Sequence, residues 1–186
     1  MDKFVSHDSK EKPRTRRDFL ILTTSAVGVV GAAGLVWPFI SSMNPAADVL
    51  ATAVVDVDLS YVKIGQSLTV MWQQKPIFIR HMTEKEIKEA EAVRLSDLRD
   101  PQTVAQRCPY SPRWTIVIGI CTHLGCIPLG QKPGQPRGTY DGWFCPCHGS
   151  QYDTVGRIRS GPAPLNLWLP PYKFINEHHL RLGVKT

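Results

Sequence analysis

The side chains best suited to bind a metal lie in two short stretches, CTHLGC at residues 121–126 and CPCHGS at residues 145–150. Each stretch offers two cysteines and one histidine, so the pair presents more soft or borderline ligands than a tetrahedral site needs. Two loops that each supply one thiolate and one imidazole can share one site if residues 124–144 fold back as a hairpin. The sequence therefore predicts a metal centre with ligands to spare.

The elements that must position these loops begin with an apolar N-terminal segment. Residues 19–40 carry no charge, and as a helix they would span roughly 33 Å, enough to cross a bilayer. Arg16 and Arg17 in the stretch TRRDFL, residues 15–20, fit a twin-arginine export signal, which exports proteins that fold first. The alternative is that they are only positive-inside charges beside a membrane helix. Both interpretations place residues 1–18 in the cytoplasm and the rest of the chain outside.

The chain after this segment divides into a linker and one domain. No convincing small-x-small cleavage motif follows at once, so we expect an uncleaved anchor, with cleavage after Ala47 as the alternative. Residues 41–53 have small side chains and few large apolar groups, which favours a flexible hinge. Residues 54–186 suffice for one domain of ordinary size, with the metal-binding part at about 121–165.

Composition and charge narrow the classes of protein. Hydrophobic residues make up 42% of the chain and charged residues 20%, which is ordinary for a folded protein. Part of the net charge of +6 comes from the N-terminal segment, because residues 1–18 hold six of the 22 Lys and Arg but only four of the 16 Asp and Glu. No long basic stripe is left in the remainder, so we do not expect nucleic-acid binding.

Short runs rich in β-branched and aromatic residues, punctuated by proline and glycine, predict an all-β domain of antiparallel strands. One helix is predicted, because Thr83 and Glu86 form a capping box at the start of EKEIKEAEAV. The polar, proline-bounded segment from Ser96 to Pro112 indicates no function. The predicted strands cover residues 51–57, 67–72, 76–81, 114–120, 172–175 and 179–184.

Spacing alone leaves the metal open between a structural zinc site and an iron–sulfur cluster. Twin-arginine export favours the cluster, because a protein that folds and takes up its cofactor before export can carry a cluster assembled inside the cell. An exported, zinc-stabilised binding module is the alternative.

The two ligand stretches closely resemble those of the Rieske iron–sulfur proteins, in which two histidines replace two cysteines on one iron of a 2Fe–2S cluster. The resemblance covers nearly the whole chain and is in particular to the Rieske subunits of bacterial ubiquinol–cytochrome c reductases. It implies a Rieske-type β domain with a small cluster-binding subdomain, preceded by a single N-terminal transmembrane helix. Beyond the two stretches it rests on the twin-arginine anchor, MNPAADVLA, TEKEIKEAEAVRLSDLRDPQ, and GPAP at residues 161–164.

The resemblance implies a ligand set for one 2Fe–2S cluster. Cys121 and Cys145 are expected to hold the inner iron. His123 and His148 are expected to hold the outer iron and to be the catalytic groups, because an exposed imidazole on iron permits both electron and proton transfer.

The resemblance also implies roles for the residues around the ligands. Cys126 and Cys147 match the family's disulfide, which is also the expected state of two neighbouring unligated cysteines in an oxidising compartment. Ser150 would donate a hydrogen bond to a bridging sulfide and Tyr152 to a cysteine ligand. Both would raise the reduction potential, because donors facing sulfur stabilise the extra negative charge of the reduced cluster. Residues 161–164 would form a proline loop that covers the cluster.

The function implied by the family is electron transfer. The exported domain would take an electron and a proton from ubiquinol and pass the electron to a membrane-anchored c-type cytochrome, with the apolar tip Leu124 docked against the quinol pocket of cytochrome b. We expect a dimeric, proton-translocating oxidoreductase complex in a bacterial inner membrane, with the single-pass subunit's N-terminus cytoplasmic and its cluster domain periplasmic. The Rieske subunit of a plastoquinol-oxidising complex is the alternative within this class.

The remaining histidines and one cysteine indicate no metal site. His178 and His179 fall at a predicted hairpin turn, and His81 and His7 lack a partner at ligand spacing. Cys108 has no counterpart in the family pattern, and we expect it to be buried and inert.

We expect the hinge to control turnover, because one domain must reach a donor site within the membrane and an acceptor site outside it. Prolines at Ala46 and Ala47 stiffen the linker, so they should slow quinol–cytochrome c turnover in membranes and leave the spectrum of the cluster unchanged. Turnover equal to that of the unsubstituted protein would reject the hinge.

Overall fold

The computed structural model describes residues 15–44 and 53–184, and the chain divides into two compact units, Met1–Ala46 and Ala47–Thr186. The first unit contains one described helix, and the second contains all the described strands. Most of the predicted hinge lies outside the described residues, as do His7 and the alternative cleavage site after Ala47.

The first unit consists, in its described part, of the long helix α1 (Arg16–Ser42). A capping box starts it, because the Thr15 hydroxyl accepts the Asp18 N–H at 3.3 Å and the Asp18 carboxylate accepts the Thr15 N–H at 2.9 Å. Its 27 residues make it long and apolar enough to cross a membrane, and none is buried within the protein. The helix extends past the predicted 19–40 at both ends, because Thr15 caps it before the arginine pair and because it continues through Ser41 and Ser42 into the predicted hinge.

The second unit contains three antiparallel sheets of three strands each among its described residues. Its strands are β1 (Val55–Asp58), β2 (Ser67–Trp72), β3 (Lys75–His81), β4 (Trp114–Ile118), β5 (Asp141–Cys145), β6 (Ser150–Asp153), β7 (Ile158–Ser160), β8 (Tyr172–Asn176) and β9 (His179–Leu182). The first sheet has the order β1–β9–β8, the second β2–β3–β4, and the third β5–β6–β7. This arrangement confirms the predicted antiparallel β domain, which follows one apolar helix in the chain.

The predicted strands correspond to the first and second sheets, and the third sheet was not predicted. Strands β5, β6 and β7 read DGWFC, SQYD and IRS, which are too short and too polar for a hydrophobic period to appear. The omission matters because β5 and β6 flank the second ligand stretch.

Two short helices lie between β3 and β4. The helix α2 (Glu84–Glu91) begins at the predicted cap Thr83. The helix α3 (Val104–Arg107) lies inside the polar segment for which no element was predicted, after a single 3-10 turn at Leu95–Asp97. Its capping box, Thr103 with Gln106, was a readable sequence signal for this helix.

Strand β3 lies between two hydrophobic cores. Ile77 and Ile79 pack into the core shared by the first and second sheets, whereas Phe78 packs into the core of the third sheet. The Phe78 ring lies 6.1 Å from that of Trp143 on β5, measured between centroids. Residues on both faces of β3 are therefore buried, and the third sheet is held against the second, from which the first ligand loop leaves.

A buried carboxylate holds α2 in place. Oxygen Oε1 of Glu86 accepts hydrogen bonds from Arg80 on β3 at 2.6 Å and from Arg137, in the segment between the ligand loops, at 2.9 Å. Its Oε2 accepts the Thr83 N–H at 3.0 Å. Although burial acts to raise it, the bonds from Thr83 and the two guanidinium groups hold the pKa of Glu86 below its usual value. One ionised carboxylate thus joins three parts of the chain.

We expect Glu86→Gln to lower the free energy of unfolding by about 2 kcal/mol, because charge-assisted bonds in a buried site are lost. A glutamate whose pKa is lower in the folded protein stabilises it above the unfolded pKa, and this contribution is lost as the pH falls through the folded value. The difference in free energy of unfolding between the unsubstituted protein and Glu86→Gln should therefore shrink below about pH 4.3, the ordinary pKa of glutamate. Denaturant unfolding of the detergent-solubilised chain at several pH values measures this difference.

The control is Glu89→Gln on the same helix. Among the described residues Glu89 forms only an exposed pair with Lys85 at 3.7 Å, so the substitution should change the free energy of unfolding by less than about 0.5 kcal/mol. Equal effects of the two substitutions would contradict the role assigned to Glu86.

Candidate metal centre

The two ligand stretches turn in the same way. In the first, the Cys121 N–H donates to the Cys126 carbonyl at 2.8 Å and the Gly125 N–H donates to the Cys121 carbonyl at 3.0 Å. In the second, between β5 and β6, the Gly149 N–H donates to the Cys145 carbonyl at 2.9 Å. Gly125 and Gly149 have φ angles of 83° and 78°, in the left-handed region that favours glycine. Local sequence therefore shapes both loops.

A disulfide between Cys126 and Cys147 joins the loops, with their Cα atoms 6.8 Å apart. Cys121 and Cys145 remain free thiols, and each is 2% exposed. The sulfur of Cys145 lies within 4.8 Å of both disulfide sulfurs. Because a bonded sulfur pair offers no thiolate to a metal, the disulfide borders the site without supplying ligands.

Two imidazoles come together in the same loops. The rings of His123 and His148 lie 4.7 Å apart between centroids, with their planes at 89°. His148 is exposed and His123 is half-buried. The Nδ1 atom of His123 is buried and has no hydrogen-bond partner among the described residues. Coordination to a metal would satisfy this ring nitrogen.

The two free thiols form a shielded pair. Burial raises the pKa of the Cys145 thiol, and contact with Cys121 raises it further, while backbone N–H groups of Cys147 and His148 that donate to its sulfur act in the opposite direction. Such donors stabilise negative charge on the sulfur once a metal has displaced the proton. Two thiols and two imidazoles fit a binuclear iron–sulfur centre in which sulfur ligands bind one iron and nitrogen ligands the other.

Tyr152 on β6 is fully buried, and its hydroxyl lies 3.3 Å from the sulfur of Cys121. The Thr122 N–H donates to the same hydroxyl oxygen at 3.3 Å, so the hydroxyl proton can go to one of two neighbouring acceptors, the Cys121 sulfur or the Thr122 hydroxyl oxygen at 3.4 Å. Burial, with contact to Cys121, raises the pKa of Tyr152 well above its ordinary value. The hydroxyl therefore stays protonated at neutral pH and can act as a donor.

Ser150, at the start of β6, is 1% exposed. Its hydroxyl oxygen accepts the Ala163 N–H at 3.1 Å, so its own proton is available to another acceptor. Residues 161–164 thus lie directly against the second ligand loop. Gly161 permits this approach, because a Cβ atom there would lie 2.5 Å from the Cα atom of Ser150.

Leu124 lies in the first ligand loop between His123 and Gly125, and its side chain is 70% exposed. A large apolar side chain beside a surface imidazole is suited to contact an apolar partner. Docking of Leu124 at a quinol pocket stays a prediction.

The described histidines and the cysteine outside the two ligand stretches make other contacts in the fold. His81 stacks on Trp114 with centroids 4.1 Å apart, and its Nδ1 bonds to a backbone carbonyl at 2.9 Å. His178 and His179 lie at the β8–β9 turn, as predicted. Cys108 is 4% exposed, which confirms the expectation that it is buried, and burial raises the pKa of its thiol.

Sequence reasoning missed two residues that support the site. Besides bonding to Tyr152, Thr122 donates from its hydroxyl to the Leu165 carbonyl at 2.6 Å. Gln131 accepts the indole N–H of Trp143 at 3.0 Å and donates to a β2 carbonyl at 2.8 Å, which ties the third sheet to the second. A hydroxyl between two ligands was a signal for Thr122, but nothing nearby in the sequence distinguishes Gln131.

Comparison with known proteins agrees with this geometry. Residues 54–173 match the family described as Rieske [2Fe-2S] domain, and residues 6–46 match the Ubiquitinol-cytochrome C reductase Fe-S subunit TAT signal. The ubiquinol-cytochrome c reductase iron-sulfur subunit of Rhodospirillum rubrum is 59% identical over 169 residues, 91% of this chain and 92% of the relative. The mitochondrial cytochrome b-c1 complex subunit Rieske of Saccharomyces cerevisiae is 49% identical over 173 residues, 93% of this chain and 78% of the relative.

Among solved structures, a chain of the Hyperthermophilic respiratory Complex III is similar, with 26% identity and a TM-score of 0.49 over 86% of this chain and 97% of that chain.

The fold and the paired cysteine and histidine loops define a Rieske-type iron–sulfur protein, whose cofactor is a 2Fe–2S cluster. The chain belongs to the family of ubiquinol–cytochrome c reductase iron–sulfur subunits. The match to the signal family also confirms the twin-arginine interpretation, and these relatives do not favour the zinc module or the plastoquinol-oxidising complex.

We expect Tyr152→Phe to lower the midpoint potential of the cluster by roughly 40 mV. The substitution removes a donor 3.3 Å from a ligand sulfur, and a hydrogen bond worth about 1 kcal/mol corresponds to this shift for one electron. A redox titration, monitored by the electron paramagnetic resonance signal of the reduced cluster, measures this shift in midpoint potential.

Tyr140→Phe is the control, because Tyr140 packs its ring against Arg159 at 4.5 Å instead of approaching a ligand. Its midpoint potential should equal that of the unsubstituted protein. If Tyr152→Phe also leaves the potential unchanged, its hydroxyl does not act on the cluster.

Proposed function

We propose that this protein is the electron-transfer subunit of a quinol–cytochrome c oxidoreductase. It takes one electron and one proton from ubiquinol and passes the electron to a membrane-anchored c-type cytochrome. One observation carries the proposal: His123 and the exposed His148 come together from the two loops that also bear the buried thiols. The names of the relatives support the same assignment.

In this proposal Cys121 and Cys145 hold the inner iron of the cluster, and His123 and His148 hold the outer iron. Ligand burial supports the division, because both thiols are 2% exposed whereas His148 is exposed. When bound, the cluster supplies one-electron oxidation and reduction. The imidazoles present this centre at the surface and accept the proton of the quinol hydroxyl.

Two hydroxyl groups tune the centre. Tyr152 donates to the sulfur of Cys121, and Ser150 donates to a bridging sulfide. Both raise the reduction potential, because they stabilise the negative charge that arrives with the electron. The distance of 3.3 Å at Tyr152 and the free hydroxyl proton of Ser150 support these roles.

Leu124 provides the contact with cytochrome b. Its exposed apolar side chain follows the ligand His123 directly, so a pocket that receives Leu124 also brings quinol to the imidazole. The exposure of 70% supports this docking, because a leucine in a short loop gains burial only from a partner.

The chain is organised for one membrane crossing. In this proposal residues 1–18 are cytoplasmic, residues 19–40 cross a bacterial inner membrane, and residues 54–186 form the periplasmic Rieske domain. Residues 41–53 form the hinge, except that α1 continues through Ser41 and Ser42. The length of α1 and the arginine pair at its N-terminal end support this orientation. The complex is dimeric and contains cytochrome b and the c-type cytochrome.

We expect Leu124→Asp to lower quinol–cytochrome c turnover at least about tenfold, because a carboxylate would lose its hydration in an apolar pocket. The assay uses membranes that contain the assembled complex. The amount of ascorbate-reduced cluster, counted by electron paramagnetic resonance, should not change, because Leu124 is not a ligand.

Ile64→Asp is the matched control, since Ile64 is 68% exposed in the turn before β2. It should leave turnover within about twofold of that of the unsubstituted complex. Full turnover of Leu124→Asp with a normal amount of cluster would refute docking at Leu124. Absence of the reduced-cluster signal in the unsubstituted protein would refute the electron-transfer function itself.

A further inference from the structure

Residues 161–166, called here the covering loop, are attached to both ligand loops. The Ala163 N–H donates to the Ser150 hydroxyl of the second stretch at 3.1 Å. The Thr122 hydroxyl of the first stretch donates to the Leu165 carbonyl at 2.6 Å. The position of the covering loop therefore determines the surroundings of the site from both sides.

Arg99 holds the covering loop from its outer side. Its Nη1 donates to the Gly161 carbonyl at 2.7 Å and to the Ala163 carbonyl at 2.5 Å. These carbonyls lie on either side of the peptide whose N–H bonds to Ser150. Hydrogen bonds from a charged donor are about twice as strong as neutral ones, so a single guanidinium nitrogen fixes the orientation of that peptide.

The residues that follow Arg99 hold the other end of the covering loop. The Asp100 carboxylate accepts the Asn166 N–H at 3.0 Å, and its carbonyl accepts the Asn166 amide at 3.0 Å. The Gln102 side chain accepts from the same amide at 3.0 Å. Asn166 is 3% exposed, so these bonds are shielded from water. Residues 99–102 thus act as a clip on the covering loop.

We infer that Arg99 is a positioning residue for the cluster: by clamping the covering loop it keeps the Ala163 N–H on Ser150, so that the Ser150 hydroxyl proton stays directed at the cluster. The inference rests on the proposed role of Ser150. It gives a function to the polar segment from Ser96 to Pro112, whose sequence indicated none. Arg99, which lies 62 positions before Gly161 in the chain, therefore helps to set the reduction potential.

Loss of the hydrogen bonds of Arg99 should lower the reduction potential of the cluster. Without Arg99, the Gly161 and Ala163 carbonyls lose a charged donor, and the peptide between them can turn its N–H away from Ser150. The hydroxyl then has a free acceptor site and other orientations, so it donates to the cluster for less of the time. A weaker donor stabilises the reduced cluster less, and the potential falls.

The test is Arg99→Met in the assembled complex in membranes. It keeps an unbranched side chain but removes every donor. At a fixed ambient potential near the midpoint, we expect the ratio of reduced to oxidised cluster to fall about threefold, or about 28 mV for one electron. Electron paramagnetic resonance reads this ratio from the cluster without quinol or cytochrome. Amide hydrogen exchange in the segment that contains Ala163 should become faster.

Arg99→Lys retains a charged donor, so its potential should lie nearer to that of the unsubstituted protein than the potential of Arg99→Met does. Arg94→Met is the matched control, because Arg94 pairs with Asp97 on the surface at 3.0 Å, away from the covering loop. Its potential and exchange rates should not change. Equal shifts in Arg94→Met and Arg99→Met would overturn the inference.

An unchanged potential in Arg99→Met, with the cluster present, also overturns the inference. It leaves the proposed electron-transfer function standing, because that function is judged by the reduced-cluster signal of the unsubstituted protein. If Arg99→Met fails to retain its cluster, Asp100→Asn replaces it. That variant weakens the second attachment of the covering loop, so a smaller shift in the same direction supports the clip. Unchanged potential and exchange in Asp100→Asn overturn it.

Discussion

The site depends on the convergence of two loops that leave different sheets. The first loop follows β4 of the second sheet, and the second joins β5 to β6 of the third. Contact of Phe78 with Trp143 holds these sheets together, and the disulfide between Cys126 and Cys147 joins the loops themselves. Because each loop offers one thiol and one imidazole, neither loop alone can form the binuclear centre. Packing between the sheets is therefore a condition for the chemistry.

Long connections surround the site, and buried arginines satisfy their backbone groups. Arg107 donates to the Val155 carbonyl at 3.0 Å and to the Leu167 carbonyl at 2.6 Å. Burial lowers the pKa of Arg107 to about 10, which still leaves it charged at neutral pH. Arg157 pairs with the buried Asp153 at 2.7 Å. Irregular backbone that could not otherwise be buried is thereby fixed beside the third sheet.

Local patterns were predictable where they extend over enough residues. The apolar N-terminal helix, the cap of α2 and the strands of the first two sheets all have such patterns, and the structure confirms them. The third sheet was missed because its strands have five residues or fewer and bury Trp143 and Tyr152 among polar neighbours. Helix α3 was missed although its capping box was present, because four residues carry no hydrophobic period.

The sequence by itself determined which cysteines and histidines are available as donors, the glycine turns of both loops and the apolar N-terminal helix, because these depend on residue type and near-neighbour spacing. The family resemblance then identified the disulfide partners. The resemblance also implied that Tyr152 donates to a cysteine ligand, but only the tertiary structure decided that this cysteine is Cys121. It alone decided that Ala163 bonds to Ser150 and that Arg99 holds the covering loop. These contacts join residues far apart in the chain, and their geometry is set by how the sheets pack, which no local pattern encodes.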